Sequence, residues 1–214
     1  MGEQMKLYID SADIKTVTEL LRLEVFAGVT TNPSILHRSG FSTKDRQDVV
    51  QSLLDAGAEE VFAQTVTHTR DEIVAEGQEI FEASDRVIVK VPATPEGFAA
   101  TQRLGEMKIP VLITAVYHPK QALLAGAVDA WGIAPYVGRM SDLGKDGVVE
   151  VRRMREILND SGTRILAASL REVDLVCELA EIGIHSATVS TTVAYELLND
   201  ENVTQAVADF DSVA

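Results

Sequence analysis

The sequence predicts an α/β fold, namely a single (β/α)8 TIM barrel over residues 1–214 with an additional C-terminal helix. Three observations lead to this prediction. Eight short runs rich in β-branched residues alternate with longer stretches whose apolar residues recur at helical spacing. The runs are nearly continuously apolar, as in parallel strands that helices cover on both faces. No proline-rich or serine-rich linker divides the chain. An open doubly wound sheet is the alternative.

The candidate strands are spaced so that a crossover helix fits between each pair, which parallel pairing requires. They are KLYID (6–10), FAGVT (26–30), EVFAQTV (60–66), VIVKVP (87–92), VLITAVY (111–117), WGIAPYV (131–137), RILAAS (164–169) and SATVS (186–190). Candidate N-caps precede the first four predicted helices: Ser11, Ser42, Thr67 and Thr94. Further helices are predicted from the stretches at 119–130, 145–160, 171–183, 191–200 and 202–213. Glycines typical of helix C-termini follow three helices: Gly57, Gly162 and Gly183.

Composition limits the possible partners. The chain has 33 acidic and 19 basic residues and a formal charge of -14, which repels nucleic acid and anionic lipid surfaces. No apolar stretch approaches the roughly 20 residues that a membrane helix needs, and no secretory signal is recognisable. We therefore expect a cytoplasmic protein. Cys177, the one cysteine, allows no internal disulfide and is expected to fill the core beside Val176 and Leu179.

Metal and nucleotide chemistry find little support in the sequence. The four histidines lack close ligand spacing and are expected to face solvent: His37, His68, His118 and His185. No glycine-rich phosphate loop is present. We therefore expect neither a metal site nor an organic cofactor.

Every candidate strand ends in a polar residue: Asp10, Thr30 with Asn32, Gln64, Lys90, Thr114, Tyr136, Ser169 and Ser190. In a barrel of this kind chemistry gathers at the carboxyl ends of the strands. A ring of donors and acceptors there would suit a small polyol. Strands also end where they meet water, so each residue taken alone has an ordinary explanation.

Lys90 is the most informative of these residues, because it lies within an apolar strand. Alternation places Ile88 and Lys90 on one face and the neighbouring valines on the other. Burial disfavours the ammonium form of lysine. Lowering its pKa by about three units from about 10.4 would leave about half of the amines neutral near neutral pH. A neutral amine can attack a ketone and form a Schiff base. The alternative is a lysine that buries its stem and extends its amine to the rim.

Cleavage of a carbon–carbon bond by such a lysine also needs a carboxylate to accept a hydroxyl proton. Asp10 ends the first strand and is the candidate. Alternatively, Asp10 caps the first helix, although Ser11 or Asp13 could do so instead.

Together these motifs resemble the small transaldolase family, in particular its fructose-6-phosphate aldolase branch. The resemblance covers nearly the whole chain, in the segments LYIDSADI, AGVTTNPSI, FAQTV, VIVKVPATPEG, TAVYHPKQALLA, APYVGR and LAASLR. It implies that Lys90 is the Schiff-base lysine, Asp10 the acid/base carboxylate and Asn32 the amide that holds a substrate hydroxyl. It also implies further pocket residues, namely Thr30, Ser169 and Thr114, the last helping to hold a catalytic water. Arg139 and Arg171 resemble the phosphate clamp, although surface ion pairs are the alternative for both.

Three positions resemble the aldolase branch more than the transaldolases: Gln64 in place of glutamate, Tyr136 in place of phenylalanine and Ala134 in place of serine. A tyrosine hydroxyl can deliver a proton to an enamine carbon, whereas phenylalanine cannot. Tyr136 could also be a rim aromatic whose hydroxyl merely finds a partner. We expect cleavage of fructose 6-phosphate to dihydroxyacetone and glyceraldehyde 3-phosphate. Transaldolase activity is the alternative, and a non-catalytic binding barrel is a further one.

Other positions depart from the family pattern. Ser190 replaces a usual proline, and Asp129 and Trp131 replace smaller or differently ordered residues. We expect all three near the rim of the pocket, where they could adapt it to another anionic ketose, including a sulfonated one such as 6-deoxy-6-sulfofructose.

The C-terminal helix carries an apolar stripe: Val203, Ala206, Val207 and Phe210. The stripe could pack on its own barrel. The family resemblance implies instead that it packs on a neighbouring subunit in a ring-shaped homo-oligomer, often a decamer.

Overall fold

A computed structural model describes residues 4–213 and contains a closed barrel of eight parallel strands, as predicted. The strands are β1 (Lys6–Asp10), β2 (Gly28–Thr30), β3 (Glu60–Gln64), β4 (Val87–Pro92), β5 (Val111–Val116), β6 (Gly132–Pro135), β7 (Arg164–Leu170) and β8 (Ser186–Val189). Each strand pairs in parallel with the next, and β8 pairs with β1 to close the barrel. The fold is therefore a (β/α)8 barrel, and the open doubly wound sheet is wrong.

The helices surround the barrel and connect its strands. They are α1 (Ile14–Leu21), α2 (Pro33–Arg38), α3 (Arg46–Asp55), α4 (Arg70–Phe81), α5 (Pro95–Glu106), α6 (Pro119–Ala127), α7 (Val137–Asp142), α8 (Gly147–Ile157), α9 (Val173–Ile182), α10 (Thr191–Leu198) and α11 (Glu201–Asp211). Within residues 4–213, none of these helices has the length and apolarity needed to cross a membrane.

Two apolar layers form the core, as the near-continuous apolar strands require. Outward-facing strand residues such as Val87, Val89 and Val91 are buried beneath the helices. The inward-facing residues form a smaller apolar cluster inside the barrel: Tyr8, Phe62, Ile88, Leu112, Ala134 and Leu166. Gly28 permits the tight closure of β2 on β3, because a Cβ at this position would lie 2.1 Å from the carbonyl oxygen of Glu60.

Several local boundaries differ from the predictions. Asp13 rather than Ser11 caps α1, and Thr69 rather than Thr67 caps α4, where Glu72 completes a capping box. Thr94 is the N-cap of α5 as predicted, whereas Ser42 caps a 3-10 turn, Thr43–Asp45, that leads into α3. The short helices α2 and α7 were not predicted, because six residues are too few to show a helical period. Gly162 is not among the glycines with positive φ, whereas Gly57 and Gly183 have φ angles of 108° and 76°.

The prediction for Cys177 is wrong, since its side chain is exposed on α9. Val176 and Leu179 are buried as expected. A helix turn of about 100° separates successive side chains, and at this position it directs the cysteine away from the core.

Candidate active site

A polar ring lies directly above the apolar cluster inside the barrel. Its members stand two residues further along their strands than the members of the cluster, so alternation directs them to the same interior. They include Asp10, Gln64, Lys90, Thr114 and Tyr136. A cavity of about 830 Å³ opens above the ring, at the carboxyl ends of the strands. Site residues predicted from the sequence line it: Asp10, Asn32, Lys90, Tyr136, Arg139, Ser169 and Arg171.

Lys90 is buried at the inner end of this cavity. Its side chain is 5% exposed, and its Nζ donates a hydrogen bond of 2.7 Å to the carbonyl oxygen of Thr31. Burial lowers the pKa of Lys90 to about 8, against the opposing effect of the Asp10 carboxylate. About a tenth of the amines would then be neutral at pH 7. The amine does not extend to solvent, so the alternative of a rim lysine is wrong.

Asp10 is held by a chain of hydroxyl groups. Its Oδ1 accepts a hydrogen bond of 2.6 Å from Thr30 Oγ1, which lies 2.7 Å from Thr188 Oγ1. Because Asp13 caps α1, Asp10 has no capping function. The carboxylate therefore faces the cavity in an orientation that two buried threonines fix.

Gln64 and Thr114 lie on β3 and β5, the strands on either side of β4, and Tyr136 directly follows β6. Gln64 is the register partner of Lys90. Its Oε1 atom is buried and accepts no hydrogen bond from residues 4–213. Thr114 Oγ1 lies 3.0 Å from the hydroxyl of Tyr136. Burial raises the pKa of that phenol, so Tyr136 stays protonated and can donate.

A buried ion pair holds the backbone around Gln64. Arg46 donates hydrogen bonds to the Gln64 carbonyl oxygen at 3.1 Å and to Glu76 Oε1 at 2.7 Å. Glu76 Oε2 in turn accepts from the backbone amides of Val66 and Thr67. The pair therefore supports the end of β3 and the turn that follows it.

Asn32 and Ser190 line the cavity and also cap helices. Asn32 Oδ1 accepts from the Ile35 amide at 3.0 Å, at the start of α2. Ser190 Oγ accepts from the Val193 amide at 3.3 Å, at the start of α10. The cap uses the oxygen of Asn32, so its NH₂ group is the part left to donate toward a ligand.

An irregularity in β7 brings Ser169 to the cavity. Alternation from Leu166 would direct Ser169 outward, but the pairing with β8 shifts register between Ala167 and Leu170. Ser169 has a φ of 61°, a left-handed conformation that is costly for a residue with a side chain. Gly138 permits α7 to approach this bend, because a Cβ there would lie 2.3 Å from the Ser169 carbonyl oxygen.

Two arginines stand at the outer end of the cavity. The Arg139 guanidinium lies 4.8 Å from the ring centroid of Tyr136. Arg171 forms a two-point ion pair with Asp142 at 2.8 and 2.5 Å. Arg171 thus lines the cavity and forms a surface ion pair as well, which are the two alternatives that its sequence position left open. His37 and Arg38 of α2 also line the cavity.

Comparison with known proteins agrees with this geometry. Residues 7–214 match the family profile described as transaldolase/fructose-6-phosphate aldolase. The chain belongs to this family. A probable transaldolase of Geobacillus kaustophilus is 34% identical over 213 residues, which cover 97% of this chain and 99% of the relative. A probable transaldolase of Geotalea daltonii is 33% identical over 215 residues, with 98% and 99% covered. As a member of the family, the protein is an enzyme of the aldolase or transaldolase type.

More distant structures share only the fold of this transaldolase-family barrel. A thiamine phosphate pyrophosphorylase from Pyrococcus furiosus superimposes with a TM-score of 0.61 at 16% identity, over 89% of this chain and 87% of the other. A mandelate oxidase mutant superimposes with a TM-score of 0.63 at 11% identity, over 90% and 66%.

Two departures from the transaldolase-family pattern lie at the wrong end of the barrel to shape this cavity. Trp131 precedes β6 and lines a separate cavity at the amino ends of the strands, where Arg164 stacks on its ring at 4.8 Å. Asp129 also precedes β6. Our expectation that these two residues adapt the pocket is therefore wrong, because they lie at the amino end of β6 and the cavity lies at the carboxyl end. Ser190 does line the cavity.

Other predicted residues lie near the transaldolase-family site without lining the cavity. Thr30 and Thr114 are fully buried in the ring, and Ala134 belongs to the apolar cluster beneath Tyr136. Sequence reasoning missed Thr188, which alternation from the end of β8 places inside the barrel. Within residues 4–213, no group of three or more histidine, cysteine, aspartate or glutamate side chains is arranged to hold a metal ion.

Proposed function

We propose that the protein catalyses Schiff-base aldol cleavage and formation of a ketose phosphate, most directly fructose 6-phosphate to dihydroxyacetone and glyceraldehyde 3-phosphate. The observation that carries the proposal is the buried Lys90 amine with a lowered pKa, facing the same cavity as the Asp10 carboxylate. A lysine of this kind supplies a neutral amine at moderate pH, and the carboxylate supplies the base. The reaction needs no metal or organic cofactor, and we place it in the cytoplasm.

The first step forms the Schiff base. The neutral amine of Lys90 attacks C2 of the ketose, and the resulting carbinolamine loses water to give an iminium ion. The departing oxygen needs a proton, which the protonated Tyr136 hydroxyl beside Thr114 is positioned to donate. Gln64 offers a buried acceptor, Oε1, for a substrate hydroxyl or a water molecule in the same region.

The second step breaks the carbon–carbon bond. Asp10 removes the proton of the C4 hydroxyl, the C3–C4 bond breaks, and its electron pair neutralises the iminium ion to give an enamine on Lys90. The Thr30 hydroxyl hydrogen-bonded to Asp10 holds the carboxylate in one orientation for this transfer. Glyceraldehyde 3-phosphate then leaves from the end of the cavity at which Arg139 and Arg171 bind its phosphate.

The third step decides between the two activities of the family. In an aldolase the enamine carbon takes a proton, here delivered through Tyr136, and hydrolysis releases dihydroxyacetone from Lys90. In a transaldolase the enamine attacks an acceptor aldehyde instead, and a new ketose forms. The names of the relatives favour transaldolase activity as the second candidate, while Tyr136 and Gln64 favour the aldolase.

Release of glyceraldehyde 3-phosphate from fructose 6-phosphate separates these candidates. We expect sustained release without an added acceptor. Release that requires erythrose 4-phosphate would instead make the protein a transaldolase. If neither condition gives product, 6-deoxy-6-sulfofructose is the next ketose to assay. A protein that binds both ketoses and cleaves neither, with or without the acceptor, would contradict the proposal.

We further propose that α11 packs on a second copy of the chain in a homo-oligomer such as a decameric ring. None of the α11 side chains is buried, and Val203, Val207 and Phe210 are 61%, 50% and 68% exposed. An apolar stripe of this kind is costly to leave in water. Sedimentation velocity should give an assembly larger than the 23.2 kDa chain, and Phe210→Asp should shift it toward smaller species; a monomeric wild-type protein would contradict the proposal.

A further inference from the structure

The ion pair between Arg171 and Asp142 stands at the mouth of the cavity. Arg171 follows β7 and Asp142 ends α7, and both side chains are more than half exposed, at 59% and 52%. The hydrogen-bonded Arg171 guanidinium lowers the pKa of the Asp142 carboxyl, and the nearby charge of Arg139 acts in the same direction. The carboxylate is therefore ionised and lies within the electrostatic reach of both arginines.

Arg171 lines the cavity, and Asp142 reaches the site only through its hydrogen bonds to Arg171. Lys90 lies at the inner end, and Arg139 and Arg171 lie at the outer end. A ketose with its carbonyl group at Lys90 extends its far end toward the arginines. An anionic head group at that end would then meet a guanidinium that already has a carboxylate partner.

The pair is not needed to hold α7 on the barrel. Val137 and Met140 of α7 are fully buried, and Gly138 lets the helix approach the Ser169 carbonyl oxygen closely. Exposed ion pairs contribute little to stability and open easily. Asp142 can therefore release Arg171 to an anionic ligand. Repulsion between the Asp142 carboxylate and the ligand grows with the negative charge of the ligand.

We infer that Asp142 is a specificity-determining residue, whose carboxylate competes with the substrate head group for Arg171 and disfavours a doubly charged head group relative to a singly charged one. The inference rests on the proposed function, because it takes the head group to bind at the arginine end. A phosphate monoester carries a charge of about -1.5 to -2 at pH 7, whereas a sulfonate carries one negative charge. Asp142 thus reduces the advantage over a sulfonate that the higher charge of a phosphate would otherwise have at the two arginines.

The Asp142→Asn variant isolates this charge, because asparagine keeps the shape and one acceptor for Arg171. Isothermal titration calorimetry would use three polyols that lack a carbonyl group and so need no Schiff base: glucitol 6-phosphate, 6-deoxy-6-sulfoglucitol and glucitol. We expect the Kd for the phosphate to fall about fivefold and that for the sulfonate about twofold, with glucitol unchanged. In about 1 M salt the difference between the two anions should disappear.

Asp146→Asn is the matched control. It also removes one negative charge, but its Oδ1 accepts from the Val149 amide at the start of α8, and asparagine caps helices well. All three Kd values should match the wild-type values. Equal changes for all three ligands in Asp142→Asn, or no change for the phosphate, would overturn the inference. Absence of phosphate binding in both proteins would also overturn it. The proposed function fails on a different result, namely catalytic inactivity of the wild-type enzyme.

Discussion

The same strands form two layers inside the barrel, a lower apolar layer and an upper polar ring. In the lower layer Tyr8, Phe62 and Ile88 are almost fully buried in apolar contact. Two residues further along these strands stand Asp10, Gln64 and Lys90. The lower layer removes water from beneath the polar ring, and the resulting desolvation is the main cause of the lowered pKa of Lys90. The apolar layer thus contributes to reactivity as well as to stability.

The largest expected effect comes from Lys90→Met, which keeps the volume of the side chain and removes the amine. Because a Schiff base can no longer form, cleavage of fructose 6-phosphate should fall by about 10⁴-fold or more. Lys145→Met is the control, since Lys145 donates to the Tyr117 carbonyl oxygen and is not part of the cavity lining. Turnover of the Lys90 variant within tenfold of wild type would show that another group carries the chemistry.

The same pair of proteins tests the burial of the amine through stability. The pKa of Lys90 is about 8 in the folded protein, against 10.5 for an exposed lysine, which stands for the unfolded chain. Between pH 8 and pH 10.5 the unfolded chain therefore binds more protons than the folded one. Wild-type stability should therefore rise with pH across this window, by roughly 3 kcal/mol relative to Lys90→Met. Chemical denaturation at pH 7.5 and pH 10.5 measures the difference. Parallel pH dependence in the two proteins would mean that the amine is not desolvated.

Asp10→Asn should come next, with kcat lower by about 10²- to 10⁴-fold. The amide cannot accept the C4 hydroxyl proton, although it can still accept the Thr30 hydrogen bond. After incubation with fructose 6-phosphate, borohydride should still trap the intact sugar on Lys90 of this variant, because Schiff-base formation does not need the carboxylate. Loss of trapping together with turnover would assign Asp10 to an earlier step.

Two substitutions on β3 separate the layers directly. Phe62→Ala should destabilise the protein by about 3–5 kcal/mol, because Phe62 is fully buried and contacts Tyr8 and Trp131 edge-on. Its kcat below the melting temperature should change by less than about tenfold. Gln64→Ala should show the reverse, with a small loss of stability and a loss of turnover of about 10- to 100-fold. If both variants lost stability and activity alike, the division between the layers would be mistaken.

Tyr136→Phe is expected to have the smallest effect. Without the hydroxyl, loss of water during Schiff-base formation slows for both reactions, and protonation of the enamine slows by about a further tenfold. Release of dihydroxyacetone should therefore fall about tenfold more than transfer to added erythrose 4-phosphate. Product analysis with and without the acceptor measures the ratio. An unchanged ratio would remove Tyr136 from the protonation step.

Most of the polar ring could be predicted from the sequence because strand alternation is regular. The family could be predicted from the sequence motifs. From VIVKVP alone, period 2 placed Lys90 on the same face as Ile88, and in the structure Ile88 belongs to the apolar cluster inside the barrel. The same alternation also places Thr188 inside the barrel. The prediction took the last residue of the strand instead, Ser190, which caps α10. Thr188 and Ser190 are two positions apart, which is one period of the alternation.

Features that depend on non-local geometry could not be read from the sequence. The bend that brings Ser169 to the cavity is a register shift between β7 and β8, and no local residue type announces it. The Arg171 to Asp142 pair joins residues separated by 29 positions. Trp131 was assigned to the wrong end because the sequence-based strand began at this residue, and its entry end was taken for the rim.

Reductive trapping tests the central claim most directly. The wild-type protein is incubated with fructose 6-phosphate, treated with sodium borohydride and analysed by intact mass and peptide mapping. We predict one stable adduct of the dihydroxyacetone unit or the whole sugar on the peptide that contains Lys90, formed faster as the pH rises toward 8 and absent from Lys90→Met. An unmodified protein, or an adduct on any other lysine, would contradict the account.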